Sequence, residues 1–344
     1  MCMVSVNNNI NTLYIDGKPV RRASLGGKVF YEKHNYHLGL VASPSSILIG
    51  DTSVVTATLT DYNDSVEGEN VKFYQVFEAD GHLSFTGQTF TVSSSTDGFS
   101  GSGIIIDWGD GTTTTYTNRN SLNHTYATEG DYAISLMGDI TSFRVNCFRD
   151  CLGLTNVIIP DTVTSLEEDC FMNCSDLTNI IIPDSVTSLG KDCFFGCSSL
   201  TNVVIPDSVT NIGNSCFYNC SGLTSVILPN NLTRLSDSCF YNCSGLTNVV
   251  IPDSVTSLGQ YCLFGCSGLT NVVIPDSVTS LGYCCLTYCS KLTSVILNWE
   301  TNIPTYNSNW FIASTIPQFS IPNGTLQEYI AAGYPSNKLV ERED

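Results

Sequence analysis

The sequence predicts a mainly β protein in which one or more N-terminal β-sandwich domains precede a solenoid with a parallel β-ladder. The first observation behind this prediction is that nearly every residue around six prolines recurs with a period of 23 residues. These prolines are Pro160, Pro183, Pro206, Pro229, Pro252 and Pro275. A fixed period of this length, with Leu, Val and Ile at fixed positions, indicates stacked coils that each need a neighbour to bury their apolar face. The second observation is that the residues before the repeats alternate between apolar and polar side chains between turn residues, which is typical of antiparallel strands.

Composition and charge exclude several classes of function. Of the 344 residues, 42% are hydrophobic and 13% are charged, which indicates a globular rather than a disordered chain. The net charge of −18, from 14 Lys and Arg against 32 Asp and Glu, argues against nucleic acid and anionic membrane surfaces as partners. No apolar run approaches the ~20 residues of a membrane-spanning helix, so we expect no membrane insertion.

Residues 1–36 are predicted to form an N-terminal β-hairpin or attachment segment. Two short alternating stretches, Thr12–Val20 and Leu25–Tyr31, are separated by turn residues. Their Gly-Lys-Pro-Val and Leu-Gly-Gly-Lys-Val-Phe sequences resemble short N-terminal pieces of phage tail proteins. Residues 1–9 lack the basic and apolar regions of a signal peptide. We therefore expect a protein on a cell or virion surface without a recognisable signal peptide, or alternatively a cytoplasmic one.

Residues 37–80 continue as predicted strands. Ser53–Thr60 alternates Val, Ala and Leu with Thr, and Val71–Val76 follows a polar turn. Within Leu40–Tyr74, the runs S-P-S-S-I-L-I-G-D-T, V-T-A-T-L-T-D and V-E-G-E-N-V-K-F resemble bacterial immunoglobulin-like domains of the invasin type. The resemblance covers only part of such a domain, and it implies an immunoglobulin-like segment.

Residues 81–140 contain D-W-G-D-G-T at 107–112, H-T-Y at 124–126 and G-D-Y-A-I at 130–134. These motifs resemble PKD-type β-sandwiches. Gly109–Gly111 is predicted to be a tight hairpin turn after the buried strand Ile104–Ile106. Asp107 and Asp110 have two interpretations, a calcium site or carboxylates that bond their own turn, and we favour the second. Whether the two N-terminal β segments form one domain or two is left open.

Residues 141–298 hold about seven repeats of L-x-x-V-x-I-P-x-x-V-x-x-I/L-G-x-x-x-F-x-x-C. This unit resembles the BspA-like leucine-rich repeats of bacterial and protozoan surface proteins. In one coil, Leu246, Val249 and Ile251 are predicted to point inward from a strand, and a short helical turn is predicted to carry Cys262 and Cys266 into the core. The strands are expected near 154–159, 177–182, 200–205, 223–228, 246–251 and 269–274, in a right-handed coil. Residues 299–344 are predicted to be a C-terminal cap with a helix over Thr325–Ala332.

Fourteen cysteines lie in seven C-x3-C pairs that follow the repeat. The position before Phe, commonly Ala in the family, is Cys in all seven units. Because buried Cys behaves as a small hydrophobe, we favour free core thiols over disulfides or a metal site, and we predict no metal and no cofactor.

Three columns of side chains are predicted to face outward from the repeat strands. They consist of Thr, of Asn or Ser, and of Val or Ile, and because an outward apolar column is unusual, one of its two interpretations is a partner-binding face. The predicted partner-binding residues are Thr201, Asn202, Val204, Thr224, Ser225, Ile227, Thr247, Asn248 and Val250. The alternative is that β-branched residues merely favour strands or that another layer covers the column. A fourth column, mostly Asp, follows each proline, and we interpret it as turn capping rather than an ion site.

No hydrolase, metalloprotease, Walker or dinucleotide motif occurs, and no catalytic residue is predicted. The leading hypothesis is a non-enzymatic recognition or adhesion protein that binds a protein or surface glycan through the repeat sheet, in one version as a phage or prophage tail component. The competing hypothesis is an intracellular scaffold for protein–protein interaction. The oligomeric state is not predicted.

Overall fold

A computed structural model describes residues 81–91, 98–116, 123–311 and 317–343, together with the backbone of four short strands nearer the N-terminus. The chain divides into two compact units, Met1–Glu78 and Ala79–Asp344. Within the described ranges, none of the helices has the length and apolar character needed to span a bilayer.

The first unit contains two antiparallel strand pairs. Strand β1 (Leu13–Ile15) pairs with β2 (Lys18–Val20), and β3 (Tyr36–Gly39) pairs with β4 (Thr58–Asp61). The N-terminal hairpin therefore lies within the first of the two predicted stretches. The second stretch, 25–31, and the predicted strand 71–76 lie outside the described residues, and the immunoglobulin-like resemblance is not confirmed.

The second unit begins with four antiparallel strands that join the solenoid. They are β5 (Gly81–Thr91), β6 (Phe99–Asp107), β7 (Thr113–Thr115) and β8 (Asn123–Phe143). Strands β6 and β7 form the predicted hairpin, with Ile104 and Ile106 buried and Ile105 exposed.

These four strands share a core with the repeats. Strand β5 pairs antiparallel with the first strand of the repeats, and the end of β8 pairs parallel with the second. The rings of Phe90, Phe99 and Phe143 lie 6.4, 5.8 and 5.4 Å from that of Phe148 in the first coil. The described strands thus cap the first coil, and a separate PKD-type sandwich is not confirmed.

Most coils contribute a longer strand to a main ladder and a two-residue strand to a second ladder. In chain order the strands are β9 (Leu154–Ile158), β10 (Ser165–Leu166), β11 (Asn179–Ile181), β12 (Ser188–Leu189), β13 (Asn202–Val204), β14 (Asn211–Ile212), β15 (Ser225–Ile227), β16 (Arg234–Leu235), β17 (Ser257–Leu258), β18 (Asn271–Ile274), β19 (Ser280–Leu281) and β20 (Ser294–Leu297). Pairing between coils is parallel, with Asn179 opposite Asn156 one period earlier. The predicted strands are confirmed except at 246–251, where only a single parallel bridge joins Val250 to Val273. The hydrogen-bonded ladder is interrupted there and again between β11 and β13, so the prediction of one unbroken ladder is wrong.

The third side of each coil is a turn and not the short helical turn that the sequence predicted. Two positions per coil have positive φ, a left-handed conformation that interrupts a helix. One column comprises Asn146, Asp169, Asp192, Ser215, Ser238, Tyr261 and Cys284, and the other Asp150, Asn173, Gly196, Asn219, Asn242, Gly265 and Tyr288. Backbone bonds on this side also join coils, such as Phe194 N to Cys216 O at 2.8 Å.

The solenoid core is built from phenylalanine and cysteine columns. Successive rings from Phe148 to Phe240 stack nearly parallel at 5.2–5.4 Å. All fifteen cysteines in the described residues are buried and free of disulfides. The second thiol of six pairs, from Cys174 to Cys289, donates to a carbonyl of the preceding coil, as from Cys220 Sγ to Phe194 O at 3.1 Å. Burial raises the pKa of these thiols, so they stay protonated and are poor nucleophiles.

The main ladder continues beyond the repeats. Strands β21 (Gln318–Ile321) and β22 (Leu339–Glu341) add to β20 in parallel, on either side of helix α1 (Leu326–Ala331), which confirms the predicted helix. Short 3-10 turns occupy Ser308–Phe311 and Ser336–Lys338. The side chain of Trp299 closes the last repeat, because its Nε1 donates to Val278 O at 2.7 Å.

Candidate functional site

The outer face of the main ladder, called the main face below, carries the nine predicted residues. All nine are exposed: Thr201, Asn202, Val204, Thr224, Ser225, Ile227, Thr247, Asn248 and Val250. Strand alternation explains this placement, since Val203, Val226 and Val249 point inward and are at most 6% exposed. The structure therefore brings the predicted residues together on one face.

The centre of the main face is an apolar stripe formed by Ile158, Ile181, Val204, Ile227, Val250, Val273 and Ile296. Val204, Ile227 and Val250 are 59%, 60% and 67% exposed, and Val273 is 37% exposed. Among the described residues, no second layer packs over these central side chains. At the N-terminal end Ile158 is half-buried, because His82 of β5 lies opposite it in the sheet.

The threonine column has a structural role that the sequence did not predict. The hydroxyl of Thr224 donates to Thr201 O at 3.0 Å, and that of Thr178 donates to Thr155 O at 2.9 Å. Each such bond joins one coil to the preceding coil. The threonines therefore stabilise the ladder while their side chains remain on the exposed face.

The Asn/Ser column is linked along the solenoid in the same way. Asn179 Nδ2 donates to Asn156 Oδ1 at 2.7 Å, and Ser225 Oγ donates to Asn202 Oδ1 at 2.6 Å. These bonds hold amide and hydroxyl groups in fixed orientations beside the apolar stripe. A face with ordered polar groups loses less conformational entropy on binding than one with mobile side chains.

A row of mostly carboxylate side chains follows the apolar stripe by three residues in six successive coils, just after the proline of each turn. This aspartate row comprises Asp161, Asp184, Asp207, Asp253 and Asp276, all exposed, with Asn230 at the sixth position. The turn itself is closed by a backbone bond, in which Val209 N donates to Pro206 O at 3.0 Å. Asp207 Oδ1 accepts from the backbone N of Asn230 at 2.7 Å, in the next coil. The turn-capping interpretation of this column is therefore wrong.

A second surface feature was missed by the sequence analysis. Phe195, Tyr218, Tyr241 and Phe264 follow the buried column by one residue and are half-buried on the turn side. Their rings stack nearly parallel, with centroids 4.7, 4.3 and 4.5 Å apart. The ring faces are occupied by each other, so this column stabilises coil stacking. The 23-residue period is the signal that would have revealed it.

One group of acidic residues has a spacing that suits a metal ion. Oxygen atoms of Glu168, Asp169 and Asp192 lie within 4.8 Å of one another. Lys191 Nζ lies 2.9 Å from Glu168 Oε1 and 2.8 Å from Asp192 Oδ2, and Arg149 Nη1 lies 2.7 Å from Asp169 Oδ2. The protein's own cations thus neutralise the carboxylates.

The β6–β7 turn uses its aspartates internally. Asp107 Oδ1 accepts from Gly109 N at 2.9 Å, and Asp110 Oδ1 accepts from the Thr112 hydroxyl at 2.6 Å. The second oxygen of Asp110 lies 2.8 Å from His124 Nε2. The Thr112 hydroxyl, followed by His124, lowers the pKa of Asp110 to about 2. These bonds agree with the interpretation that the carboxylates stabilise their own turn.

Comparison with solved structures gives similarities to other leucine-rich repeat proteins. A leucine rich cell surface protein from Faecalibacterium prausnitzii A2-165 is 27% identical, with a TM-score of 0.47 over 67% of this chain and 66% of that one. A leucine rich repeat protein of T. pallidum is 23% identical, with a TM-score of 0.34 over 53% of this chain and 90% of that one. The chain thus spans just under two thirds of the Faecalibacterium protein. No curated protein matches.

A family model gives the assignment. The model of the BspA type leucine rich repeat region matches residues 141–269 and 210–333, with six copies. Together these matches span residues 141–333, more than half of the 344-residue chain. They coincide with the parallel ladders and the phenylalanine and cysteine columns described above. The chain therefore belongs to the BspA-type leucine-rich repeat family.

Proposed function

We propose that this chain is a non-enzymatic recognition protein that binds a protein partner through the main face. The observation that carries the proposal is the run of exposed apolar side chains over four successive coils, from Val204 to Val273. Leucine-rich repeat proteins generally bind other proteins and typically lack catalytic activity, which supports the proposal. Solenoids of this kind use their extended regular surfaces for binding.

The dimensions of the main face suit a macromolecular partner. Seven coils at ~4.8 Å per strand give a ladder roughly 30 Å long. Apolar side chains in its centre and hydrogen-bonding side chains along its edges reproduce the apolar core and polar rim of a protein interface. A surface glycan is the second candidate partner, favoured by the ordered Asn, Ser and Thr groups. The apolar stripe favours the protein.

Two biological settings fit such a binding protein. The BspA-type family supports adhesion at a cell or virion surface, and the N-terminal hairpin adds the version in which the chain is a phage or prophage tail component. An intracellular scaffold is the competing setting. The identity of the bound protein separates them, since an extracellular partner supports adhesion and an intracellular partner supports the scaffold.

A charge-insertion variant tests the proposal. Purified wild-type protein is applied to an array of purified extracellular and intracellular proteins, and the same array is probed with Val204→Lys/Ile227→Lys/Val250→Lys. We expect the variant to fold, because these side chains are exposed, and to lose the binding that the wild type shows. Circular dichroism and thermal unfolding monitor the fold.

A matched control adds the same charge elsewhere. Thr187, Thr210 and Thr233 are exposed in or beside the second ladder of three successive coils. Their triple replacement by Lys should leave array binding unchanged. Equal loss of binding in both variants, or retained binding in the first, contradicts the assignment of the main face.

A further inference from the structure

We propose that the partner of the main face is a cationic amphipathic protein segment, whose basic side chains contact the aspartate row while its apolar side chains cover the apolar stripe. This inference rests on the proposed function, because it assigns a chemistry to the partner of the same face. Under this proposal, the main face selects its partner by charge as well as by apolar contact.

The first argument is the charge composition of the main face. In all seven coils the outward Thr, Asn/Ser and Val/Ile columns carry no charged residue, and the column that follows the prolines carries only Asp or Asn. The described chain has basic residues elsewhere, and they are Arg144, Arg149, Lys191, Arg234, Lys291, Lys338 and Arg342. Among the described residues, every charged side chain in the outward columns and the column after the prolines is therefore negative, while Lys338 lies near Thr293 at the C-terminal end of the ladder.

The second argument is that the aspartate row is available to a partner. No hydrogen bond or ion pair within the described residues engages the carboxylates of Asp161, Asp184, Asp253 or Asp276, and all four are exposed. Neighbouring coils place like charges about one strand spacing apart, an arrangement that is destabilising. Partial desolvation of the Asp161 carboxyl beside its turn, and then the charge of Asp184, raise the pKa of Asp161. A row of basic side chains on a partner would relieve this repulsion.

The third argument excludes a second copy as the favoured occupant. The chain has a net charge of −18, and a second copy would bring another aspartate row toward the first. Like charges placed close together at an interface suppress association. A partner with positive charge gains attraction from the same row, and electrostatic steering also accelerates its approach.

The spacing of the coils suggests how such a segment would lie. An α-helix rises 5.4 Å per turn, close to the ~4.8 Å between neighbouring strands. A helix parallel to the solenoid axis would place about one turn over each coil. An apolar stripe and an adjacent basic stripe along that helix would then follow the apolar stripe and the aspartate row.

The test uses a synthetic helical peptide of about 20 residues with Leu along one stripe and Lys along the adjacent stripe. A control peptide carries Glu in place of every Lys. Affinities for the full-length protein are measured by fluorescence anisotropy at about 0.05 M and about 0.5 M salt. We expect the Lys peptide to bind at least about tenfold more tightly than the Glu peptide at low salt, with most of that difference lost at high salt.

Charge-neutralising variants assign the effect to the aspartate row. The variant is Asp184→Asn/Asp207→Asn/Asp253→Asn/Asp276→Asn, and the native Asn230 shows that this column accepts Asn. The matched control removes the same charge from four exposed sites elsewhere: Glu129→Gln/Glu300→Gln/Glu328→Gln/Glu343→Gln. We expect about a tenfold loss of Lys-peptide affinity in the first and less than about a twofold change in the second. Equal loss in both variants would overturn the proposal, since it would show a net-charge effect.

The remaining outcomes separate this inference from the proposed function. Equal binding of the Lys and Glu peptides, abolished by Val204→Ser/Ile227→Ser/Val250→Ser, would overturn the cationic partner and leave the main face as the binding site. If the Lys peptide binds the Ser variant and the Asn variant as tightly as the wild type, both the cationic partner and the assignment of the main face as the binding site are overturned. A dimer in sedimentation that the Ser variant dissociates would also overturn the cationic partner, because a second copy would then occupy the face.

Discussion

The asparagine and glycine residues of the turn side show how single residues determine the path of each coil. Asn219 and Asn242 have φ of 57° and 56°, and Gly196 and Gly265 have φ of 73° and 72° at equivalent positions. The repeat period places Asn or Gly at five consecutive positions of this column, from Asn173 to Gly265, which was a signal for left-handed backbone. The sequence analysis missed it because the C-x3-C spacing also fits one turn of a helix.

Substitution of Asn219 tests the role of the left-handed backbone. Asn219→Ala should lower the free energy of unfolding by about 1 kcal/mol, because Ala tolerates positive φ poorly. Asn219→Gly should be close to neutral, since Gly196 and Gly265 occupy the same column. Urea unfolding followed by circular dichroism measures both. A result in which Gly destabilises more than Ala would contradict the backbone explanation.

Individual strands were predicted to within about two residues because the Leu, Val and Ile alternation is strong. The exception, 246–251, has a physical cause in the spacing of neighbouring coils. The bond from Thr224 N to Thr201 O is 2.8 Å, whereas those from Thr247 N to Thr224 O and from Thr270 N to Thr247 O are both 3.4 Å. This local widening coincides with Val250, the most exposed member of the apolar stripe. Such spacing depends on the packing between coils and cannot be predicted from the sequence of a single coil.

Deletion of one whole coil tests the element-level account. Removal of residues 216–238 joins Ser215 to Cys239 and restores the Ser-Cys sequence of the following coil. We expect a folded protein with a shorter ladder and a lower Tm, because solenoid stability is approximately a sum over coils and their interfaces.

Removal of one residue fewer, 217–238, is the matched control. It shifts the register by one residue and turns inward side chains outward. This variant should lose cooperative unfolding. Equal stability of the two deletions would contradict the stacked-coil register.

At the scale of the whole molecule, the repeats were predictable, whereas at the two ends only single elements such as helix α1 and the β6–β7 hairpin were. The period identified the solenoid, its parallel pairing and the exposed face. The antiparallel cap could not be inferred, because β5 and β9 pair across some 70 residues of unrelated sequence. Strands β21 and β22 extend the ladder after the sequence pattern has ended, since parallel pairing needs backbone groups and not the repeat's side chains.

The cysteine core predicts that the whole molecule is unstable at alkaline pH. Burial raises the pKa of thirteen repeat thiols above the value of 9.0 expected in the unfolded chain. Their stabilisation is fully present below pH 9 and is lost as the pH rises, because only the unfolded chain then releases thiol protons. At about pH 9, each of these thiols lowers the free energy of unfolding by ~0.4 kcal/mol, and the thirteen together lower it by roughly 5 kcal/mol. That sum is comparable to the total stability of many domains.

Urea unfolding between about pH 7 and pH 10 measures this effect. Replacing the first cysteine of each pair with Ala, the residue common in the family, should reduce the pH slope by about half. The seven positions are Cys147, Cys170, Cys193, Cys216, Cys239, Cys262 and Cys285. A free energy of unfolding that is constant through pH 9, or an unchanged slope in the variant, would contradict the buried-thiol core.

The exposure of the apolar stripe is the central claim, and carbene footprinting with mass spectrometry tests it most directly. In the free protein we predict strong labelling of Val204, Ile227 and Val250 and weak labelling of their inward neighbours in the same strands. Addition of the Lys peptide should protect the three labelled residues and leave the second ladder unchanged. Equal labelling of outward and inward residues, or no protection by a peptide that binds, would contradict the account.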